Sequence, residues 1–182
     1  LTVGQELDEE KILRLQSEDA EEKATRQAML LLGIRARSEM EVRRNLEKHE
    51  IPDALIERTI ERLRKERLLD DGQFAHAWVA NRSEFRPRSR RALSVELRRK
   101  GLTEADIRSA TGQLDEKALA YAAAQKRLRR LDDMEWHEFR KKLSDFLARR
   151  GFEYEVISLT VKRLWAERDG NQNKNLDDEE IP

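Results

Sequence analysis

A short stretch near the middle of the chain, residues 82–100, carries side chains suited to binding phosphate or carboxylate groups. It has eight basic residues and only two acidic ones, Glu84 and Glu96, so its net charge is +6. Seven of the bases are arginines, whose guanidinium groups bind oxyanions through paired hydrogen bonds, whereas lysine offers a point charge. We predict an anion-binding surface made by Arg82, Arg86, Arg88, Arg90, Arg91, Arg98, Arg99 and Lys100. The alternative is a solvated helix face, and Phe85 within the run could stack on a base or join the core.

A second basic run follows in the last third of the chain, where acidic residues dilute it more strongly. Charge runs of this kind are often solvated helix faces, so we interpret it as a secondary basic patch. Its members are Lys126, Arg127, Arg129, Arg130, Arg140, Lys141 and Lys142.

The residues that could support catalysis are scattered. The three histidines, His49, His76 and His137, have no neighbours at metal-ligand spacing, and there is no cysteine. Asp70 and Asp71 stand at the head of a predicted helix, where capping is the expected role. The seven glycines form no phosphate-binding loop. We therefore expect a protein that is not an enzyme, with no catalytic residues, no metal site and no cofactor.

The formal net charge of zero hides an uneven distribution along the chain. Residues 1–23 carry −5 and residues 169–182 carry −4, which leaves +9 on residues 24–168. This pattern predicts an acidic N-terminal extension, a basic body with an anionic partner, and an acidic, disordered C-terminal tail. No stretch approaches the ~20 apolar residues of a membrane span, and we expect a monomeric cytoplasmic protein.

The elements that must position the arginines come from an internal repeat. Segments starting at Leu46, Leu97 and Leu147 align without gaps, with leucine and isoleucine recurring at matched positions. Each segment belongs to a unit of about 50 residues with three short helices, too small to bury a core alone. We predict an all-α fold, an elongated tandem array of three three-helix repeats that resemble helix-turn-helix units. The repeats are assigned to residues 24–69, 70–114 and 115–168, between the acidic tails.

Local signals set the predicted helix ends. Ser38 and Glu41 form a capping-box pattern, and Asp70 with Gln73 forms a second one. Gly101 and Gly151 are suited to a left-handed helix cap. Glu50 occupies the matching position in the first repeat, so we expect that turn to be made differently.

Three stretches of the body resemble the RecX family of regulators of the RecA recombinase. They are RARSEMEVRRNL (35–46), LLDDGQFAHAWVANR (68–82) and SRRALSVELRRKGL (89–102). The resemblance covers roughly residues 24–168, although Arg86-Pro87 stands where the family more often has glycine. It implies a small non-enzymatic protein that binds RecA and its filament on single-stranded DNA, generally inhibits filament growth and ATP hydrolysis, and in some members binds DNA.

Three functional hypotheses remain open on the sequence. The first is a RecA-filament regulator whose arginine-rich stretch contacts acidic protein surface or DNA. The second is a direct DNA-binding module for single- or double-stranded DNA, since the three-helix units resemble helix-turn-helix geometry. The third is a structural adaptor that holds an acidic helical partner.

Overall fold

The computed structural model describes residues 8–131 and 133–177, and helices with short connections account for all of them. No strand occurs within those residues, which confirms the all-α prediction. The helices are α1 (Glu9–Ile34), α2 (Glu39–Lys48), α3 (Asp53–Lys65), α4 (Asp71–Phe85), α5 (Arg90–Arg99), α6 (Glu104–Thr111), α7 (Glu116–Leu128), α8 (Trp136–Arg149) and α9 (Tyr154–Asp177). None of these helices is both long and apolar enough to cross a bilayer.

The predicted repeat is visible in the burial of matched side chains. Leu46, Leu97 and Leu147 are all fully buried, one in the second helix of each group of three. The residues one helical turn earlier and the matched isoleucines in the third helices are buried as well. A three-helix unit placed at intervals of about 50 residues therefore underlies the whole described body.

The predicted N-terminal caps are present. Ser38 makes both halves of the capping box with Glu41, and Asp70 accepts a hydrogen bond from the backbone N–H of Gln73 at 2.8 Å. These bonds satisfy N–H groups that have no partner within the helix, so they mark where α2 and α4 begin.

The turn after α2 differs from the prediction. Glu50 itself adopts the left-handed conformation, with φ 58°, as Gly101 and Gly151 do with φ 85° and 87°. The Ile51 N–H also bonds the Leu46 carbonyl at 3.2 Å. The first repeat thus makes the same kind of turn with a residue that has a side chain, and the expectation of a different turn was wrong. A single strained residue of this kind costs about 1 kcal/mol, which surrounding structure can offset.

Two compact units divide the chain, and the middle repeat is shared between them. The first unit holds the described residues up to Phe74 together with Arg99–Asp106, around a core of α1, α2 and α3. The second unit holds Ala75–Arg98 and the described residues from Ile107 onward, around a core of α7, α8 and α9. The predicted repeat boundaries stay predictions.

Both ends of the described chain are helical. Helix α1 begins at Glu9, so it takes in most of the segment predicted as an acidic extension. Helix α9 runs to Asp177, so the predicted disordered tail is helical over 169–177, and 178–182 lie outside the described residues. Extending an established helix costs far less than starting one, which explains how α9 continues past the last core residues.

Candidate anion-binding surface

In the first unit, the end of α5 packs against the start of α2, and we call this contact the first joint. Ser38 Oγ donates a 2.7 Å hydrogen bond to the carbonyl of Lys100. Gly101 lies so close to α2 that a Cβ there would be 2.6 Å from Met40 Cβ. The Lys100 ammonium reaches Glu41, with Nζ 2.9 Å from Oε1. A glycine, a serine and an ion pair therefore hold the first joint together.

The Glu41 carboxylate is the electrostatic centre of the first joint. Burial disfavours its charged form, but hydrogen bonds from Arg35, Lys100 and the Ser38 backbone N–H outweigh burial. Together they lower the pKa of Glu41 to about 2. The carboxylate stays ionised at neutral pH and compensates the charge of Lys100.

In the second unit, the end of α8 packs against the start of α5 at the matched position of the repeat, and we call this contact the second joint. The Ser89 N–H donates to the Arg150 carbonyl at 3.2 Å. A Cβ at Gly151 would lie 2.7 Å from Ser89 Oγ and 3.0 Å from Ala92 Cβ. The Arg150 guanidinium donates to the Pro87 carbonyl at 2.7 Å.

The two joints differ in charge. Arg150 occupies the position of Lys100, whereas Ala92 occupies the position of Glu41. The acidic partner of the first joint is therefore missing from the second. Among the described residues, no carboxylate lies within ion-pairing distance of Arg150.

Other guanidinium groups lie near Arg150 instead. Burial lowers the pKa of Arg150, and the charges of Arg88 and Arg86 lower it further. Arg86 is exposed and makes no ion pair with any described residue. Arginine remains protonated at neutral pH even so, and the result is a local excess of positive charge that an anion would stabilise.

Glu96 supplies the carboxylate that orders part of this surface. Its Oε2 accepts from Arg82 and from the Trp78 indole, each at 2.9 Å, and its Oε1 pairs with Arg88 at 2.9 Å. The Arg82 guanidinium also lies 4.3 Å from the centre of the Trp78 ring, a cation–π contact. The carboxylate of Glu96 therefore pairs with two arginines, and Glu96, Arg82 and Arg88 together carry a net positive charge.

Three more of the predicted arginines line a neighbouring groove of about 430 Å³: Arg90, Arg91 and Arg98. Glu116 also lines it, and its carboxylate accepts the backbone N–H of Arg90. Arg90 Nη2 donates to the Leu114 carbonyl at 2.9 Å. Arg91 is exposed and carries no ion pair with the described residues.

The last two predicted residues belong to the other unit. Arg99 is exposed at the end of α5. Lys100 lies in the first joint, where it pairs with Glu41 and sits 5.5 Å from the centre of the Phe74 ring. Six of the eight predicted residues therefore belong to the second unit, and Lys100 has a structural role.

Three members of the secondary basic patch make different contacts in the structure. Lys126 donates to the Glu84 carbonyl, next to Phe85, which is 61% exposed. Arg127 lies over the Phe146 ring, while Lys142 pairs with Glu138 within α8 at 3.6 Å. The remaining members of the patch are Arg129, Arg130, Arg140 and Lys141.

Arg150 is the residue that the charge run alone did not assign to this surface. It lies far along the sequence from residues 82–100. The internal repeat indicates this residue, because aligning the segments that start at Leu97 and Leu147 matches Arg150 to Lys100. Aligning the segments that start at Leu46 and Leu97 matches Ala92 to Glu41 in the same way.

Comparison with known proteins places the three repeats in a family. Models described as the first, second and third three-helix domains of RecX match residues 24–63, 70–110 and 115–160. The chain belongs to the RecX family. This agrees with the resemblance that the sequence motifs carry.

Individual members of the RecX family are similar over most of their length. The regulatory protein RecX of Pelodictyon phaeoclathratiforme is 36% identical, over 75% of this chain and 86% of that protein. The regulatory protein RecX of Streptomyces coelicolor is 34% identical, over 88% of this chain and 87% of that protein. These relatives are named as regulatory proteins, not as enzymes.

Solved RecX structures share the fold. A crystal structure of regulatory protein RecX superposes with a TM-score of 0.72 at 26% identity, covering 88% of this chain and 82% of that one. The crystal structure of RecX from Lactobacillus salivarius superposes with a TM-score of 0.69 at 21% identity, covering 81% of this chain and 97% of that one. The fold is therefore that of three RecX three-helix domains in tandem.

Proposed function

We propose that this RecX-family chain binds the RecA recombinase and its filament on DNA and lowers the recombinase and ATPase activity of RecA. It acts without a catalytic step, as a monomeric cytoplasmic binding protein with no cofactor. Family membership supports regulation, and the family resemblance supplies RecA as the partner.

The observation that carries the proposal is the unpaired charge at the second joint. Arg150, Arg86 and Arg88 lie together where the first joint has a carboxylate that compensates its cation. A half-buried cation without a carboxylate partner leaves positive charge that a bound anion would stabilise. A binding partner that supplies the anion explains this arrangement. A filament of RecA on DNA presents carboxylates and phosphates together.

The test measures ATP hydrolysis by purified RecA on single-stranded DNA while the chain is titrated. We expect hydrolysis to fall as the chain is added, and no change at saturating concentration would reject the proposal. The variant Arg86→Ala/Arg91→Ala removes two exposed arginines that make no ion pair with the described residues. It should require about tenfold more protein for the same effect, since each lost charged contact is worth about 1 kcal/mol.

A matched control comes from the first unit. Arg26 and Arg62 are exposed, and each pairs at 2.9 Å with a glutamate four residues away, Glu22 and Glu66. The variant Arg26→Ala/Arg62→Ala changes the net charge by the same amount, and it should inhibit RecA as the unchanged protein does. Equal losses in both double variants would mean that overall charge, and not this surface, determines the effect.

Direct DNA binding is a second candidate, favoured by the position of Phe85. This side chain is 61% exposed next to Arg86, and an exposed aromatic ring beside a guanidinium group is a stacking platform for bases. The prediction is binding to single-stranded DNA that weakens steeply as salt rises, because phosphate contacts release counterions. Phe85→Ala should weaken binding by about 1–3 kcal/mol. Binding that does not respond to salt, or no binding, would reject this candidate.

A further inference from the structure

A separate groove lies within the third repeat, between α8 and α9, with a volume of about 570 Å³. We call it the third-repeat groove. It contains none of the arginines of the second joint, and its main lining residues are Trp136, Arg140, Lys141, Tyr154, Ile157 and Lys162.

The inner part of the third-repeat groove is apolar. Ile157 and Val161 are almost fully buried beneath it, and Trp136 packs against the same core. Tyr154 is 77% exposed at the beginning of α9. An exposed aromatic side chain next to an apolar cleft is typical of a binding site for a large apolar side chain.

The rim of the groove carries three cations that make no ion pair with the described residues. Arg140, Lys141 and Lys162 are exposed, and none of them has a carboxylate of the described chain within ion-pairing distance. The cations next to them in sequence, outside the groove, are paired: Lys142 with Glu138 at 3.6 Å and Arg163 with Glu167 at 2.7 Å. Arg140, Lys141 and Lys162 therefore line the groove without an ion pair, whereas the paired Lys142 and Arg163 do not line it.

We propose that the third-repeat groove binds a short acidic segment of a partner protein, anchored by one large apolar side chain. The apolar floor receives the anchor, and Arg140, Lys141 and Lys162 pair with carboxylates on either side of it. A groove between two helices that combines apolar floor and charged rim fits an amphipathic peptide.

Asp145 decides between a peptide and a nucleic acid. It lines the groove together with the hydroxyl groups of Ser144 and Ser158. A phosphate backbone carries a negative charge at every step and would be repelled where it passed Asp145. A peptide can place a neutral or basic residue opposite the same carboxylate. The mixed lining therefore fits a protein segment.

The experiment selects short random peptides displayed on phage against the full chain and then measures binding of the selected peptides by fluorescence anisotropy. We expect enrichment of Asp and Glu around a single large apolar residue. The groove variant Lys141→Ala/Lys162→Ala should lose about tenfold or more in affinity for these peptides, because two charged contacts are removed. Tyr154→Ala should weaken binding through loss of apolar contact.

The matched control is Lys117→Ala/Lys142→Ala, which removes two exposed lysines of the same unit that do not line the groove. It should retain affinity within about twofold. Circular dichroism of each variant shows whether it is folded. The variant Arg86→Ala/Arg91→Ala should bind the peptides normally, so failure of RecA inhibition and failure of this inference are distinguishable.

Three results would overturn the inference. The first is selection of peptides without enriched acidic residues. The second is an equal loss of affinity in the groove variant and in its control. The third is binding of a labelled oligothymidylate that the groove variant abolishes while no acidic peptide binds, since this outcome would assign the groove to nucleic acid.

Discussion

Lys100 Nζ lies 2.9 Å from Glu41 Oε1 and ties the end of α5 to the start of α2. The matched pair one repeat later is Arg150 and Ala92, where no such bond can form. At both joints a serine donates a hydrogen bond to the carbonyl of the residue before a glycine, while the charge balance is changed at one. The packing of a joint and its charge balance are therefore separable in this fold.

The ion pair of the first joint makes stability depend on pH in a defined window. The pKa of Glu41 is about 2 in the folded chain, against an ordinary value of 4.5. A lowered pKa means that the stabilisation is present above about pH 4.5 and is lost as pH falls toward 2. Urea unfolding of the wild type and of Glu41→Gln should differ by about 1–2 kcal/mol near neutral pH, after allowance for solvent screening.

The difference between these two proteins should shrink as the pH falls below about 4.5, because protonation removes the charge that glutamine lacks. Glu47→Gln serves as control, since Glu47 is an exposed carboxylate on the same helix. It should follow the wild type closely throughout. A constant gap between wild type and Glu41→Gln at all pH values would contradict the assigned role of Glu41.

Restoring the missing acid should convert the second joint into a copy of the first. Ala92→Glu places a carboxylate where it can pair with Arg150, as Glu41 pairs with Lys100. Because the first joint accommodates a glutamate at the matched position of α2, we expect the variant to fold. Its inhibition of RecA ATPase should require about tenfold more protein, since the new internal counterion competes with the partner. Ala92→Gln, of similar size and no charge, should inhibit more strongly than Ala92→Glu, and equal effects would assign the loss to size.

The close approach of Ser89 and Ala92 to Gly151 predicts that adding one methyl group there lowers the free energy of unfolding strongly. A Cβ there would lie 2.7 Å from Ser89 Oγ, and the backbone has φ 87°. Gly151→Ala should lower the free energy of unfolding by about 2–3 kcal/mol through strain and overpacking. At Gly33, in α1, nothing lies within 4 Å of an added Cβ, so Gly33→Ala should be neutral or slightly stabilising. Thermal unfolding of both variants measures the contrast, and a similar shift in both would contradict the packing at the second joint.

The repeat and its helices could be predicted because each depends on local pattern or on matched burial. Leu46, Leu97 and Leu147 had to be apolar to fill equivalent core positions, and Ser38 had to bear an oxygen to cap α2. The turn at Glu50 could not be predicted, since its left-handed backbone is unfavourable for a residue with a Cβ and occurs in a turn closed by backbone hydrogen bonds, among them that from the Ile51 N–H to the Leu46 carbonyl.

The sequence predicts which basic residues belong to the candidate site, but it does not predict which of them are paired with acids inside the protein. The density of arginine marked residues 82–100, but charge counts cannot tell a cation that faces solvent from one held by an internal acid. Lys100 and Arg82 are of the second kind, paired with Glu41 and Glu96. These pairs join residues distant in sequence, and only the packing of the helices brings them together.

Substitution of Glu96 should change the concentration needed to inhibit RecA in the direction opposite to Ala92→Glu. Its side chain is 16% exposed and pairs with both Arg82 and Arg88. Glu96→Gln keeps the shape but removes the counterion, so stability should fall by about 1–3 kcal/mol. The two guanidinium groups then lose their internal partner, and the concentration needed to inhibit RecA should fall by about threefold at low salt. If the second joint is where the anionic partner binds, Glu96→Gln and Ala92→Glu must move this concentration in opposite directions, and movement in the same direction would place the binding surface elsewhere.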